Sequence, residues 1–550
     1  MRAAAIAFTL TLAGLAPAAE PATPYKVGVA KVEITPDHPI RLNGFGGRRA
    51  ESEGAYQKIW AKALAIEDGT NSPAVLLAVD VLGIPADIYD ELARRLEKKA
   101  GLKRERLAVT ATHTHTGPML AGANPTIFGV PIPKEHQANI DKYTPVFLDK
   151  LEAAVLAALK DRRPARLEWG VGTVAFAINR RKREVAPTDH DLPVLVVKEP
   201  GGKVRAVYLD YACHCVTLSH NKLGGDWAGF AAAAIEDTFP GSVALVAIGC
   251  GADQNPSSGV TGDKVDVAAG QGREVAAEVK RLTANFLAPI TGNITAKVTT
   301  LELPLAELPT RQQWEEKAKR MDAIGHHARV QLAKLDRGEK LPTKVSYPVQ
   351  TWAFGDSLAM VHLPGEVVVD YALRLKRELD GRRLWVTAYA NNAPCYIPSE
   401  RVLKEGGYEG GGAMIYYDLP VPFAPGLEEK IVTAVKGQIG KPFGPKFDPK
   451  KTGDSLPLSP QQSLAAIRTK PNLRVDLVAA EPLVADPVAI AFGPDGKLWV
   501  AEMADYPLGR TGNYDPGGRI VVLESTTGDG RFDKSTVFLD NLPFPTGVLP

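Results

Sequence analysis

The sequence predicts an α/β fold: a large layered αββα-type domain with mixed sheets, followed by a short all-β C-terminal segment. Three observations predict it. Apolar, β-prone runs alternate with amphipathic helical runs from about residue 25 to residue 436. Beyond about residue 472 the grammar changes to short β segments joined by turns. The 51 glycines and 43 prolines among 550 residues supply turns and long loops that a helical bundle would not use.

Composition narrows the class. Hydrophobic residues are 45% and charged residues 23%, as in folded soluble proteins. The formal charge of +2, from 65 basic and 63 acidic residues, gives no nucleic-acid signal. Arg2, the apolar run 3–15 and the small-x-small site Ala16-Pro17-Ala18 read as an export signal over residues 1–19. That run is too short to span a membrane. The expected location is therefore periplasmic or extracellular. Four cysteines (Cys213, Cys215, Cys250 and Cys395) are too few for a disulfide scaffold of this size. Packing is their default role.

The elements follow in order. Residues 25–34 alternate as a strand. Leu42-Asn-Gly-Phe-Gly-Gly47 is a glycine-rich loop that can let backbone approach a ligand, without phosphate-loop spacing. Residues 61–67 and 74–80 read as adjacent strands, 85–99 as a helix and 107–111 as the next strand. That strand runs into Thr112-His-Thr-His-Thr-Gly-Pro118, where period-2 geometry points His113 and His115 to one side. A long irregular loop over 117–142 precedes a helix at 143–162. A strand pair over 166–178 ends at Asn179-Arg180, and one arginine of the run 180–183 could orient an anionic or carbonyl group. Strands at 191–197 and 204–213 follow, the second running into His214.

A helix at 230–238 leads to an apolar strand at 242–248, which opens on the polar loop 249–256. A helix covers 265–287, and a solvent-facing strand 294–303. Thr310 caps a charged helix running to about residue 335, with Trp314 as its packing anchor and His326 and His327 on its surface. Two strands in 347–363 end at Pro364-Gly-Glu366, and a helix continues to about residue 379. The last core strand is 383–389. A loop over 390–412 contains Tyr396 and Tyr408, and a helix at 428–436 closes the domain.

Chemistry collects at the carboxyl ends of the strands, where α/β folds place ligand sites. His113, His214 and Glu366 can supply the two imidazoles and a carboxylate of a zinc site with an open position. His115 would be left for proton transfer. Asp253 could orient a site imidazole, with Asp226 a weaker choice and Asp80 a further one. His190 reads as a polar residue at a strand start.

The chain resembles the neutral/alkaline (non-lysosomal) ceramidase family from about residue 24 to residue 436. The matching pieces are the Asn-Gly-Phe-Gly loop, the motif 112–118, Asn179-Arg180, Ala212-Cys-His214, Pro364-Gly-Glu366, and Tyr396 followed by Tyr408-Glu-Gly410. The resemblance implies Zn2+ held by His113, His214, Glu366 and Tyr396, with His115 assisting proton transfer. Arg180 and Tyr408 would position the substrate, and zinc-activated water would cleave the amide of an N-acylsphingosine. A small-molecule or lipid amide is thus the expected partner, with transient contact at a membrane surface. The sequence says nothing of oligomeric state.

Two departures follow. Asn255 stands in Ala252-Asp-Gln-Asn-Pro256 where the family carries a serine, so a serine-nucleophile route is closed while a zinc-water route stays open. The alternatives are an exported non-catalytic binding protein on a degenerate scaffold, or a hydrolase of a soluble amide or ester. Secondly, the segment 472–550, after a Pro-, Gly- and Lys-rich linker over 437–471, resembles the start of a β-propeller rather than the family's C-terminal domain. Strands are expected there at 473–479, 487–492 and 498–501. The loop 525–533 keeps only Asp529 and Asp533 as carboxylates of a calcium-loop pattern.

Overall fold

The computed structural model describes residues 25–70, 72–181, 186–285, 287–444, 460–469, 473–505 and 516–550. The export segment expected at 1–19, and the middle of the expected linker, lie outside the described residues. The chain divides into two compact units, 1–449 and 450–550.

The first unit holds two stacked mixed sheets with helices outside both. The larger sheet has nine strands. Across it run Leu107–Ala111, Ala74–Val79, Trp60–Glu67, Tyr25–Glu33, Arg163–Thr173, Asp191–Lys198, Val204–Tyr211 and Val243–Ile248, with Ala288–Pro289 added beside Arg163–Thr173. Pairing is antiparallel except at the two edges, where Leu107–Ala111 lies parallel to Ala74–Val79 and Val243–Ile248 parallel to Val204–Tyr211. The second sheet orders Ile294–Pro304, Lys344–Phe354, Leu358–His362 and Leu384–Thr387, and its last pair is parallel.

Period-2 alternation builds the layers. Leu64, Ile66, Leu76 and Leu245 face the second sheet and pack with Trp352, Met360 and Trp385. Tyr208 stacks on Trp385 at 5.0 Å between ring centres. Their neighbours Ala63, Ala65, Val75 and Leu77 face outward, in one cluster with Leu92 and Leu96 of helix Ala86–Ala100 and Phe147 and Leu151 of helix Lys134–Lys160. On the far side, Leu427–Ile439 and Asp370–Glu378 cover the second sheet. The layers are therefore α, β, β, α.

This arrangement aims the site. The larger sheet curls until its edge strands approach each other. The chain leaving Leu384–Thr387 passes between them: Thr110 bridges to Ala390 and Gly249 bridges to Thr387. Three strand ends thus meet at one place.

Several elements differ from the sequence reading. Helix Lys134–Lys160 starts nine residues before the expected 143, and Pro145 lies inside it. The charged helix is two helices, Arg311–Ala318 and Ala323–Asp336. Thr310 caps the first in a full capping box with Gln313, and Asp322 caps the second. Trp314 is buried as expected, but His327 is buried with it at 5.7 Å between rings and is no surface residue. Residues 473–480 form no strand, and the last helix of the first unit runs to Ile439.

The second unit carries one four-stranded antiparallel sheet: Pro487–Phe492, Leu498–Glu502, Gly518–Glu524 and Lys534–Leu542. Leu498, Val500, Val521 and Leu523 form its small core. The carboxylates of Asp529 and Asp533 accept hydrogen bonds from Thr527, Arg531 and Thr526 of their own loop.

Candidate metal centre

Two short ladders bring the expected ligands together. In the first, Thr114 pairs with Cys215, and the His115 amide donates to the Cys215 carbonyl at 3.0 Å. This ties the loop carrying His113 and His115 to the loop carrying His214. In the second, Glu366–Val367 lies parallel to Tyr396–Ile397, with Glu366 directly opposite Tyr396. Gly365 makes that ladder possible. Its φ is +76°, and a Cβ there would sit 2.5 Å from the Cys395 carbonyl oxygen.

The two histidines of the opening motif share one site, though not by strand alternation. The strand stops at Ala111, and His113 adopts φ +53°, a left-handed conformation that costs a non-glycine residue about 1–2 kcal/mol. That backbone reversal turns both rings inward, with His115 Nε2 3.3 Å from His113 Nε2.

At the centre, Glu366 Oε2 lies 3.2 Å from His113 Nε2 and 3.3 Å from His214 Nε2. The Tyr396 hydroxyl oxygen lies 3.5 Å from His214 Nε2. His113, His214, Glu366 and Tyr396 are all buried. The Nδ1 of His113 faces the Leu82 carbonyl at 2.7 Å, and that of His214 faces the Gly251 carbonyl at 2.7 Å. A carbonyl only accepts, so both Nδ1 atoms carry a proton, and in the neutral imidazole the lone pair lies on Nε2. Burial pushes the His214 imidazole down to about 4, so it is neutral near pH 7.

Two nitrogen lone pairs therefore face a carboxylate oxygen that has no hydrogen-bond partner. Such a confrontation of acceptors is costly unless a cation sits among them. The spacing fits one: ligands at about 2.05 Å around a tetrahedral zinc are about 3.3 Å from each other. The donor set, two imidazoles with a carboxylate and a phenol, is also one zinc accepts.

His115 belongs to the same cluster; one ligand atom from each of His113, His115 and His214 lies within 4.8 Å of the others. Its surroundings differ. Its Nδ1 is buried without a partner, whereas ligating imidazoles usually have their second nitrogen bonded. Burial, with His113 and His214 next to it, holds its imidazole well below the usual value. The Asn-Gly-Phe-Gly loop packs against this ring: Phe45 lies 5.0 Å away, and Arg48 donates to the His115 carbonyl.

Arg180 is fully engaged by protein. Nη2 donates to the Tyr396 hydroxyl oxygen at 3.1 Å, Nη1 to Asn255 Oδ1 at 3.3 Å, and Nε pairs with Glu409 at 2.7 Å. Asn255 reaches it from Gln254–Pro256, the strand that pairs with Ala177–Asn179. Tyr408 stands at the rim, half-exposed, with its ring 5.2 Å from that of Tyr396.

Asp253 does not orient a site histidine. Its carboxylate accepts from the Val369 amide and Asn179 Nδ2, both at 2.9 Å, and backbone carbonyls hold the imidazoles instead. Asp226 accepts from the Leu218 and Trp227 amides, and Asp80 from the Trp60 amide. His190 faces the Ala177 carbonyl. Cys213 and Cys215 are buried thiols. Three participants went unrecognised in the sequence: Tyr417, whose hydroxyl donates to Glu366 Oε1; Tyr389, whose ring lies 4.3 Å from that of His113; and Glu409. Only Glu409 carried a signal, inside the quoted Tyr408-Glu-Gly410 motif.

Fold and site together define an αββα protein with a buried His-His-Glu-Tyr centre at its strand ends. Residues 25–298 match the family described as neutral/alkaline non-lysosomal ceramidase, N-terminal, and residues 459–550 match a domain of unknown function, DUF7133. Neutral ceramidases of Drosophila melanogaster and Drosophila pseudoobscura pseudoobscura are 27% and 28% identical over 97 residues, which is 17% of this chain and 14% of each relative's length. A solved ceramidase complexed with C2 superposes with TM-score 0.60 at 16% identity, covering 94% of this chain and 90% of that one. The neutral ceramidase of Pseudomonas aeruginosa gives 0.59 at 16% identity, with 94% and 89% covered. At that identity the likeness establishes the fold. Over the segment 25–298 the chain thus resembles the neutral/alkaline non-lysosomal ceramidase family.

Proposed function

We propose that the chain is a zinc-dependent amidohydrolase that cleaves the amide bond of an N-acyl, ceramide-like lipid. The observation that carries this reading is the acceptor-only confrontation of His113 Nε2, His214 Nε2 and Glu366 Oε2, with the Tyr396 hydroxyl beside them at zinc-ligand spacing. When bound there, zinc would polarise the substrate carbonyl and lower the pKa of a water molecule. His113, His214, Glu366 and Tyr396 would hold it. Arg180 favours the anionic form of Tyr396 by donating to its oxygen, and Glu409 fixes the guanidinium in that place. His115 Nδ1, buried and without a partner, is the atom free to take and return a proton. Asn255 carries no nucleophilic oxygen, so its part is to accept from Arg180. Tyr408 at the rim is placed to meet the substrate, joining the family expectation to its half-exposed position.

The family supports a lipid amide as substrate, and the N-terminal pattern at 1–19 supports export. No helix among the described residues is long and apolar enough to cross a membrane.

Metal content of the purified protein, measured together with hydrolysis of a panel of N-acyl lipids, tests the reading. His214→Ala is expected to lose both bound zinc and hydrolysis. Loss of zinc with hydrolysis intact would refute a metal-assisted reaction.

A further inference from the structure

Glu366 uses its two oxygens differently. Oε2 faces the imidazoles, while Oε1 accepts the hydroxyl hydrogen of Tyr417. A carboxylate beside a divalent cation can bind through one oxygen or through both, and a strong donor on one oxygen favours the first arrangement. Tyr417 ends the short helical turn Gly412–Tyr417. That turn is braced from outside the site. Thr126 Oγ1 donates to the Ile415 carbonyl. Asp418, held at φ +58°, accepts from Gln331 Nε2 at 2.6 Å and pairs with Lys334. Gln331 and Lys334 belong to helix Ala323–Asp336, which contributes no residue to the metal centre.

We propose that Tyr417 is a positioning residue of the metal centre: its hydroxyl occupies Glu366 Oε1 and restricts that ligand to Oε2, and the Asp418 brace to Gln331 and Lys334 keeps it there. The inference rests on the reading above, that the centre holds zinc. The Tyr417 hydroxyl is bonded to Glu366 Oε1, so its effect passes through Glu366. Without its hydroxyl, Oε1 would be free to turn toward the cation and to compete for the position a catalytic site keeps open.

Zinc affinity, by competition with a chromophoric chelator, and the visible spectrum of cobalt-substituted protein test this. Measurements compare wild type, Tyr417→Phe and Lys334→Ala, with Tyr416→Phe as a neighbouring control. Tyr417→Phe should bind zinc about 10- to 100-fold less tightly, the range for loss of a partner behind a metal ligand. Its cobalt bands should shift as Oε1 competes for the position that water would take. Lys334→Ala should move both readouts the same way by less, and Tyr416→Phe should move neither. If Tyr417→Phe does not fold, Lys334→Ala carries the test, because its side chain lies outside the centre. Zinc affinity within twofold of wild type and an unchanged cobalt spectrum would overturn the proposal while leaving the zinc reading intact. Absence of stoichiometric zinc from wild type would overturn both.

Discussion

Replacing Gly44 by alanine separates the role of His115 from the holding of the metal. A Cβ at position 44 would lie 2.5 Å from His115 Nδ1 and 2.6 Å from its Cγ. Ordinary contacts begin near 3.5 Å, so the imidazole must retreat by about 1 Å. It has little room, since Phe45 and His113 each lie 5.0 Å from it between ring centres. Backbone strain adds to the clash: φ is +92°, and a left-handed alanine costs about 1–2 kcal/mol. A misplacement of about 1 Å in a proton-transferring group costs about 100-fold in rate. Gly44→Ala should therefore lower kcat for N-acyl lipid hydrolysis by about that factor. Zinc content should stay at the wild-type level, because no atom of His113, His214 or Glu366 is among the nearest neighbours of the added carbon. Gly47→Ala, in the same loop with open space around its added carbon, is the control and should behave as wild type. A Gly44→Ala protein that binds zinc and turns over within threefold of wild type would show that His115 does not carry the proton.

Two further outcomes follow from other parts of the fold. Arg180→Lys keeps a cation beside Glu409 but cannot also reach Tyr396 and Asn255. Losing a charge-assisted hydrogen bond to Tyr396 is worth about 1.5–3 kcal/mol, so kcat should fall roughly 10- to 150-fold, and a change below twofold would remove Arg180 from the support of Tyr396. Burial pushes the Asp210 carboxyl up to about 7, against the donors Thr387 and Trp385. The folded state thus binds this proton more tightly than the unfolded chain does. That stabilisation is complete below about pH 4 and is lost as pH rises through 7, a total of about 4 kcal/mol at 1.36 kcal/mol per unit. Asp210→Asn should accordingly melt above wild type at pH 8, with the difference shrinking toward pH 4; parallel melting-temperature curves across that range would rule out burial of this carboxyl as a source of pH dependence.

The clustered residues were legible in the sequence because each sits where an apolar run stops: His113 after residues 107–111, His214 after Val204–Tyr211, Glu366 after Leu358–His362. The layer order was legible from alternation in strands such as Trp60–Glu67, whose even and odd residues pack into different cores. What failed to show has a physical reason in each case. The carbonyls of Leu82 and Gly251 fix both imidazoles, but every residue has a carbonyl, so no residue type announces one. Asp253 looked like the orienting group because carboxylates are conspicuous in sequence; its position instead serves the Val369 amide and Asn179. Tyr417 lies in a non-periodic turn, and its partner is 51 residues away. His327 was masked by the charge of its helix, although Gln331 one turn on bonds to it at 3.0 Å. The same limit applies to the centre itself. A sequence can show that two histidines and a glutamate end three strands. It cannot show that Glu366 Oε2 comes within 3.3 Å of both Nε2 atoms, and that convergence, more than the identity of the residues, is what supports the proposed cation at the junction of the two ladders.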